Sequence, residues 1–295
     1  MITTIPAGTI EVRGAFDLAA SARFLEGFTP AARPDAAEEP GTLRMAFPAD
    51  GSWAHVGVVV KQRAPGEVSV DSNDSAVVEQ VRRILSLDID GAGFDNVGRG
   101  DPVVAHLQKR YPGLRPVLFS SPYEAACWTI IGNRIRMTQA ARIKQRLAEE
   151  YGQAVDVGGR DLVAFPAPEV LATIDRPPGL SELKIERLRA IARAAQEGQL
   201  DARMLRSLGP EEAMAQLRQV PGIGPFSAEL ILVRGAGHPD VFPRNEERLH
   251  DEMRFAYALP AADASALAVV AERWSPFRSW VALLMRTYRM SRGAN

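Results

Sequence analysis

The hydrophobic positions in the first part of the chain follow both helical and extended patterns. Apolar residues recur at helical spacing over 17–28, and a second helix is predicted over 76–87 with Ser75 as its N-cap. Short apolar runs bounded by turn residues predict strands at 9–13, 43–47, 53–62 and 67–71. Residues 1–88 are therefore expected to form a small α+β domain with an antiparallel sheet.

From about Asp88 onward the extended patterns stop, and helical patterns broken by Gly and Pro follow one another. Helices are predicted at 102–110, 122–131, 137–151, 167–174, 181–197, 202–208, 210–219, 227–233, 246–256, 264–274 and 279–288. Short links between so many helices favour a compact all-helical domain, here residues 89–295, over a parallel sheet. The expected fold class is α+β, with the sheet first and the helices after it.

The most informative stretch lies between two of these helices, at 217–230. Gly222 and Gly224 flank a single isoleucine, which predicts a tight hairpin whose backbone N–H groups are not covered by side chains. A helix beginning near Ser227 adds the positive end of its dipole, so the hairpin can bind a phosphate without Lys or Arg. An ordinary link between two helices, with glycines for close packing, is the alternative.

Charge changes this picture only locally. Lys and Arg number 35 against 36 Asp and Glu, and the net charge of -1 gives no overall signature of nucleic-acid binding. Residues 134–146, however, contain five cations and no acidic residue, namely Arg134, Arg136, Arg142, Lys144 and Arg146. We interpret this run as a DNA contact, with a solvated helix face as the alternative.

Several kinds of site are excluded by composition. The single cysteine, Cys127, cannot form an internal disulfide framework or a multi-cysteine metal site. The histidines lack metal-ligand spacing, and His250 is expected to pair with Glu246 one helical turn before it. Because the chain shows neither a secretion signal nor a membrane span, we expect a cytoplasmic monomer without cofactor.

Five stretches resemble one known family. They are 16–25, 121–128, 217–230, 237–243 and 272–280. Together they resemble the 3-methyladenine DNA glycosylase II family of the helix-hairpin-helix DNA glycosylase superfamily, over nearly the whole chain. The resemblance implies that the small α+β domain precedes two helical subdomains with a cleft between them, and that the helix-hairpin-helix spans about 210–234.

The resemblance also implies an activity. Such enzymes turn a damaged nucleotide out of double-stranded DNA and cut the bond between base and sugar. Gly222, Gly224 and Ser227 would hold the backbone, and hairpin carbonyls in the family commonly hold a monovalent cation. Asn133 or Arg134 would fill the vacated stack, with Arg136 beside them on the DNA.

The catalytic carboxylate departs from the family pattern. The family has an aspartate four residues after the Phe of its Phe-Pro loop, and counting from Phe242 reaches Glu246. Glutamate keeps the charge but adds a methylene, and a shift of about 1 Å in a catalytic group can cost about a hundredfold in rate. Glu246 therefore either takes the aspartate's role or marks a protein that binds damage without releasing the base. Glu247 and Asp251 are reserves.

Glu246 also has a purely structural explanation. With Asn245 as N-cap, a glutamate in the first turn of a helix is what the helix dipole favours.

The remaining pocket positions narrow the reaction. Bifunctional relatives carry a lysine where this chain has Phe226, so a monofunctional hydrolase is expected. Phe226 keeps a family aromatic, whereas Leu230 and Arg286 replace two others, and a cation at Arg286 would repel a positively charged base. Three aromatic residues could compensate, unless they are core residues: Tyr123, Trp128 and Trp280.

The leading hypothesis is a monofunctional DNA N-glycosylase of base excision repair, acting on an alkylated or otherwise modified base. A catalytically impaired relative that binds damaged or distorted DNA is the first alternative. An interaction scaffold without DNA is the second.

Overall fold

The computed structural model describes residues 5–31, 33–175, 177 and 179–293. Its N-terminal part contains a four-stranded antiparallel sheet in the order β1-β4-β3-β2. The strands are β1 (Ile5–Glu11), β2 (Thr42–Pro48), β3 (His55–Ala64) and β4 (Glu67–Ser72). Val58, Val59 and Val60 of β3 are all buried, because both faces of this central strand are covered. The antiparallel sheet expected from the sequence is confirmed.

Most of the other described residues are helical. In chain order the α-helices are α1 (Leu18–Gly27), α2 (Val78–Ile84), α3 (Phe94–Gly100), α4 (Pro102–Arg110), α5 (Pro122–Gly132), α6 (Met137–Tyr151), α7 (Pro168–Leu171), α8 (Glu182–Gln196), α9 (Ala202–Ser207), α10 (Pro210–Leu217), α11 (Pro225–Leu230), α12 (Glu247–Ala256), α13 (Ala264–Ala271) and α14 (Arg278–Gly293). A π-helical turn, Ile231–Ala236, continues α11. Among the described residues, no helix has the length and apolar character needed to cross a bilayer.

The described residues form three large hydrophobic cores and one small cluster, in which Val155 and Val157 pack on Val59. The sheet core packs the sheet against α1 and α2, with Leu18 and Val81 fully buried. The first helical core joins α5, α6 and α8 to α11 around Leu188. The second helical core joins α4 and α12 to α14 around Trp274. Two helical cores beside one sheet core agree with the arrangement that the family resemblance implies, and the α+β fold class is confirmed.

The prediction that strands stop near Asp88 is wrong. A two-stranded hairpin, β5 (Gln153–Asp156) and β6 (Asp161–Ala164), follows α6. Its turn contains Gly158 and Gly159, both at positive φ. A Gly-Gly pair is typical of a β-hairpin turn, but no strands were predicted here from the sequence. The hairpin packs on the outer face of the sheet, where a Cβ placed on Gly57 would lie 3.0 Å from Val155 and Val157.

Helix bounds agree with the sequence at two helices, one with a side-chain N-cap and one without. The bounds of α4 and α6 coincide with the predicted ones. The predicted helix over 76–87 is a single 3-10 turn followed by α2, and Asp74 rather than Ser75 accepts the capping hydrogen bond, from Ala76 N at 2.9 Å. Helix α3 was not predicted, because its sequence contains two glycines and little helical periodicity.

Candidate functional site

The hairpin between α10 and α11 uses its two glycines differently. Gly222 has a φ of +94°, and a Cβ there would lie 2.7 Å from Arg187 Cδ and 3.0 Å from Ile130 Cδ1. Glycine is therefore required at 222 by both conformation and packing. A Cβ on Gly224 would meet nothing within 4 Å, so the space beside its backbone is open. Gly224 is thus the position at which an outside group can approach the main chain.

The start of α11 presents backbone donors to that open space. Pro225 is the first residue of α11 and has no N–H, and Ala228 N donates to Gly224 O at 2.9 Å. The N–H groups of Phe226 and Ser227 lie in the first helical turn, where no intrahelical carbonyl can accept from them. Helix dipole and free donors together favour an anion. The Phe226 side chain is exposed and Ser227 is half-buried.

A buried carboxylate on the same helix holds the loop before α12. Glu229 accepts hydrogen bonds from Arg244 N at 3.0 Å, Asn245 N at 2.9 Å and Asn245 Nδ2 at 2.8 Å. Burial raises the pKa of Glu229, although the hydrogen bonds from Asn245 and Arg244 oppose the shift. Three donors from two consecutive residues fix the backbone that leads directly into Glu246.

Glu246 itself is the N-cap of α12. Its carboxylate accepts from Arg248 N at 3.2 Å, so the prediction that Asn245 caps this helix is wrong, because Asn245 is bound to Glu229. Glu246 Oε1 lies 3.8 Å from Arg286 Nε, and only a quarter of the Glu246 side chain is exposed. The site thus contains a half-buried carboxylate paired with a guanidinium.

The other acidic and imidazole groups near Glu246 are engaged elsewhere. His250 is buried with Nε2 3.0 Å from Pro243 O and Nδ1 3.7 Å from Glu247, so the expected pairing of His250 with Glu246 is wrong. The reserve residue Glu247 is mostly exposed, and Asp251 pairs with Arg254 and Arg289. Within the described residues, no three His, Cys, Asp or Glu side chains converge on a metal-binding geometry.

Two arginines approach the carboxylate from different elements. Arg286 belongs to α14, and burial lowers its pKa while the Glu246 charge opposes the shift. Arg234 lies on the π-helical turn, with its guanidinium 4.5 Å from the Phe28 ring centroid and 5.4 Å from that of Phe24. Burial lowers the pKa of Arg234 to about 10, and the nearby charge of Arg286 adds to the shift. The protein therefore maintains two neighbouring cations in a partly dry region.

Neither Glu229 nor Arg234 was predicted as a site residue, although their positions beside apolar residues distinguish them. Glu229 interrupts the apolar run of residues 228–233 and Arg234 follows it directly, and an ionisable side chain on a buried helix needs a specific partner. Arg234 Nη2 donates to Val117 O at 2.8 Å, and no acceptor among the described residues lies within reach of its buried Nε.

The three aromatic residues expected to compensate in the pocket are not brought together. Tyr123 is buried in the first helical core and its hydroxyl donates to Pro166 O at 3.0 Å, which places the ring among Trp53 and Phe165. Trp128 is buried in the same core. Trp280 is buried in the second helical core, beneath the Arg115 guanidinium at 5.1 Å. Packing accounts for all three rings, whereas Leu230 is half-buried beside the first helical core.

The loop between α5 and α6 carries the proposed stack-filling residues. Asn133, Arg134 and Arg136 are all exposed there. Arg134 has a φ of +57°, a left-handed backbone conformation that residues other than glycine rarely adopt. Such residues are concentrated at functional sites.

One member of the basic run does not face solvent. Lys144 Nζ lies 2.5 Å from Glu124 Oε1 and donates to Pro30 O at 2.9 Å, and both charged side chains are nearly buried. Its interpretation as a DNA contact is therefore corrected, because Lys144 holds α6 against α5 and the N-terminal region. Arg142 and Arg146 remain exposed on α6.

Sheet, paired helical cores and hairpin together define the fold of the helix-hairpin-helix DNA glycosylases. Among solved structures, the chain is similar to a 3-methyladenine DNA glycosylase from Archaeoglobus fulgidus, with a TM-score of 0.79 and 24% identity over 96% of this chain and 98% of that one.

Curated sequences point to the same group. The chain is 29% identical to a DNA-3-methyladenine glycosylase from Bacillus subtilis over 58% of this chain and 61% of the relative. It is 32% identical to DNA-3-methyladenine glycosylase 2 from Escherichia coli over 58% of this chain and 59% of the relative. The chain thus spans about six tenths of the length of these relatives, and no family model matches it. The resemblance to the 3-methyladenine DNA glycosylase II family is confirmed.

Proposed function

We propose that this chain is a monofunctional DNA N-glycosylase that releases an alkylated or otherwise modified base from double-stranded DNA in base excision repair. One observation carries the proposal. The helical segment that begins at the anion-binding hairpin also carries Glu229, which holds the loop ending in the half-buried carboxylate of Glu246. A phosphate site and a carboxylate are thereby linked through a single rigid element. The names of the curated relatives support the same activity.

The reaction replaces the bond between base and sugar with a bond to water. As the bond from sugar C1′ to the base nitrogen breaks, its electron pair leaves with the base and positive charge develops on the sugar. Glu246 stabilises that charge and orients the water that attacks C1′. The water gives its oxygen and one proton to the sugar hydroxyl. Its second proton goes to the departing base when a neutral base leaves as an anion, and to Glu246 and then solvent when a cationic base leaves as a neutral molecule. Phe226 stands where a Schiff-base lysine would be needed, so the strand is left uncut.

DNA binding precedes this step. The open backbone at Gly224 and the N–H groups of Phe226 and Ser227 hold a phosphate, and a monovalent cation at hairpin carbonyls stays a prediction from the family. Arg134, on its left-handed backbone, fills the stack after the nucleotide turns out, with Asn133 as the neighbouring alternative. Arg136 contacts the adjacent backbone. The monomeric state and the cytoplasmic compartment also stay predictions.

Single-turnover assays on duplexes with different modified bases test the proposal. The wild type should convert at least one duplex to an abasic product, and Glu246→Gln should lose most of that rate while binding the duplex with similar affinity. Glu247→Gln, at the exposed adjacent position, is the matched control and should retain the rate. Salt-sensitive binding without base release from any duplex would favour the binding-only alternative.

A further inference from the structure

The charge around Glu246 is predominantly positive. Arg286 lies 3.8 Å from the carboxylate, and its other charged neighbours include Arg248, Arg289 and Glu252. Arg289 is paired with Asp251 and adds little to this charge, whereas the charges of both Arg286 and Glu246 act on Arg234. Two guanidinium groups, those of Arg286 and Arg234, therefore lie near one carboxylate. Because the Arg286 and Glu246 side chains are only about one quarter exposed, water screens their fields less than it would at the surface.

Apart from the exposed Phe226, which keeps a family aromatic position, the aromatic faces near Arg234 and Arg286 are occupied or replaced. The rings of Phe28 and Phe24 face the Arg234 guanidinium, so their electron-rich faces interact with a cation of the protein. The family's other two aromatic positions hold Leu230 and Arg286. A positively charged base would therefore meet the Arg286 guanidinium at a position where the family has an aromatic ring that attracts the base.

The chemistry of the leaving base makes this charge useful for a different substrate. A purine alkylated on N3 or N7 is cationic in DNA and leaves as a neutral molecule, so a nearby cation opposes its binding and gives no help as the bond breaks. A neutral modified base receives the electron pair of the broken bond and develops negative charge in the transition state. A fixed guanidinium stabilises that charge more than it stabilises the ground state, which is the condition for catalysis.

We propose that Arg286 sets the substrate class, an inference that rests on the proposed function. The site releases uncharged modified bases in preference to cationic ones, because the Arg286 guanidinium stabilises the electron pair on the departing base. In this assignment Glu246 acts on the sugar side of the breaking bond and Arg286 on the base side. Their ion pair in the free protein keeps both groups in place before the nucleotide enters.

The test compares uncharged with cationic lesions in the wild type. Duplexes carry hypoxanthine or ethenoadenine as neutral bases, and 7-methylguanine or 3-methyladenine as cationic ones. Because cationic lesions are lost faster without enzyme, each single-turnover rate is divided by its uncatalysed rate. We expect the enhancement for the neutral bases to be at least about tenfold larger, the loss that removal of one electrostatic group commonly exceeds.

Variants then assign the preference to Arg286. Arg286→Met, which keeps length without charge, should lower the enhancement for hypoxanthine at least about tenfold and leave that for 7-methylguanine unchanged or raised. Arg286→Lys should retain most of the wild-type preference. Arg289→Met is the matched control one turn along α14, where the arginine pairs with Asp251, and it should not change the ratio between neutral and cationic bases.

The outcomes separate this inference from the proposed function. Larger enhancements for cationic bases in the wild type, or an unchanged ratio in Arg286→Met, would overturn the role of Arg286 while leaving a glycosylase. Release of no base at all would remove the proposed function and the inference with it. The wild-type comparison needs no variant, so misfolding of Arg286→Met would still leave a decisive measurement.

Discussion

The hairpin and the carboxylate loop are joined by one helical segment, yet they encode their chemistry in opposite ways. The hairpin offers main-chain N–H groups, and its glycines serve to bend the chain at Gly222 and to leave space at Gly224. The carboxylate loop depends on side chains from three helices, namely Glu229, Glu246 and Arg286. A backbone site survives many side-chain changes, whereas a side-chain site changes its chemistry with each replacement.

That contrast explains where this chain departs from the family that it resembles. The hairpin motif is intact, whereas the family aspartate is Glu246 and a family aromatic is Arg286. Under the proposed function, phosphate binding and the choice of base are therefore free to vary independently. We therefore expect variants of the carboxylate loop to change the rate of base release, and variants of the hairpin to change DNA binding.

The largest effect on rate is expected for Glu246→Gln. Loss of a single stabilising group commonly lowers kcat by about 100- to 1000-fold, and the neutral amide cannot stabilise positive charge on the sugar. Single-turnover rates on a duplex from which the wild type releases a base measure this effect. Unchanged rates in Glu246→Gln would remove Glu246 from the mechanism.

A smaller effect on rate is expected for Glu229→Gln. Whichever way the amide is turned, its NH₂ group faces a loop donor that the carboxylate accepts, so the loop before Glu246 should shift. A displacement of about 1 Å corresponds to about a hundredfold in rate. Because Glu229 is a positioning residue, duplex affinity and melting temperature should change little. A parallel loss of affinity and rate would show a general packing role instead.

The hairpin side is tested with its two glycines. Gly224→Glu places a negative charge in open space beside the phosphate site, and we expect duplex affinity to fall about tenfold with little change in stability. Gly222→Ala is the contrasting variant, because the left-handed backbone and the contact with Arg187 should lower the free energy of unfolding by about 1–3 kcal/mol. Equal effects of the two variants on stability would contradict the division of roles.

The smallest effect on binding is expected in the basic run. Arg136→Gln should weaken duplex binding a few-fold and reduce the slope of affinity against salt by about one ion. Lys144→Gln should leave that slope unchanged and instead lower the free energy of unfolding by about 3 kcal/mol, because Glu124 loses its buried partner. DNA titrations at several salt concentrations, with melting curves of both variants, distinguish a DNA contact at Arg136 from a structural role of Lys144.

The sequence predicted most of this fold because its helices have local signals. Helix α4 begins at Pro102, and the side chain of the preceding Asp101 accepts hydrogen bonds from Val103 N and Val104 N. A capping residue followed by proline can be recognised from the sequence alone. The β5–β6 hairpin was missed because its short strands gain stability from the sheet on which they pack, and that contact is distant in the sequence.

The candidate site was predictable only in part, for the same reason. Glycine spacing identified the hairpin, and counting from Phe242 identified Glu246. Glu229, which holds the loop before Glu246, lies 17 positions before it, and its ion-pair partner Arg286 lies 40 positions after it, so no local sequence pattern identifies either one. Tyr123 and Trp280 were expected in the pocket but are buried in the helical cores. The sequence pattern of a helix does not distinguish an aromatic residue that lines a pocket from one that fills a core.

The β5–β6 hairpin has a consequence for how the molecule unfolds. Its Val155 and Val157 cover the sheet over Gly57, although the hairpin grows out of the helical part of the chain. Arg83 adds a second tie between the two parts, since it donates to Gly235 O at 2.6 Å. Separating the sheet from the helices would strip apolar cover from both. The free energies of the two parts are therefore coupled, and heat should melt them in one cooperative transition.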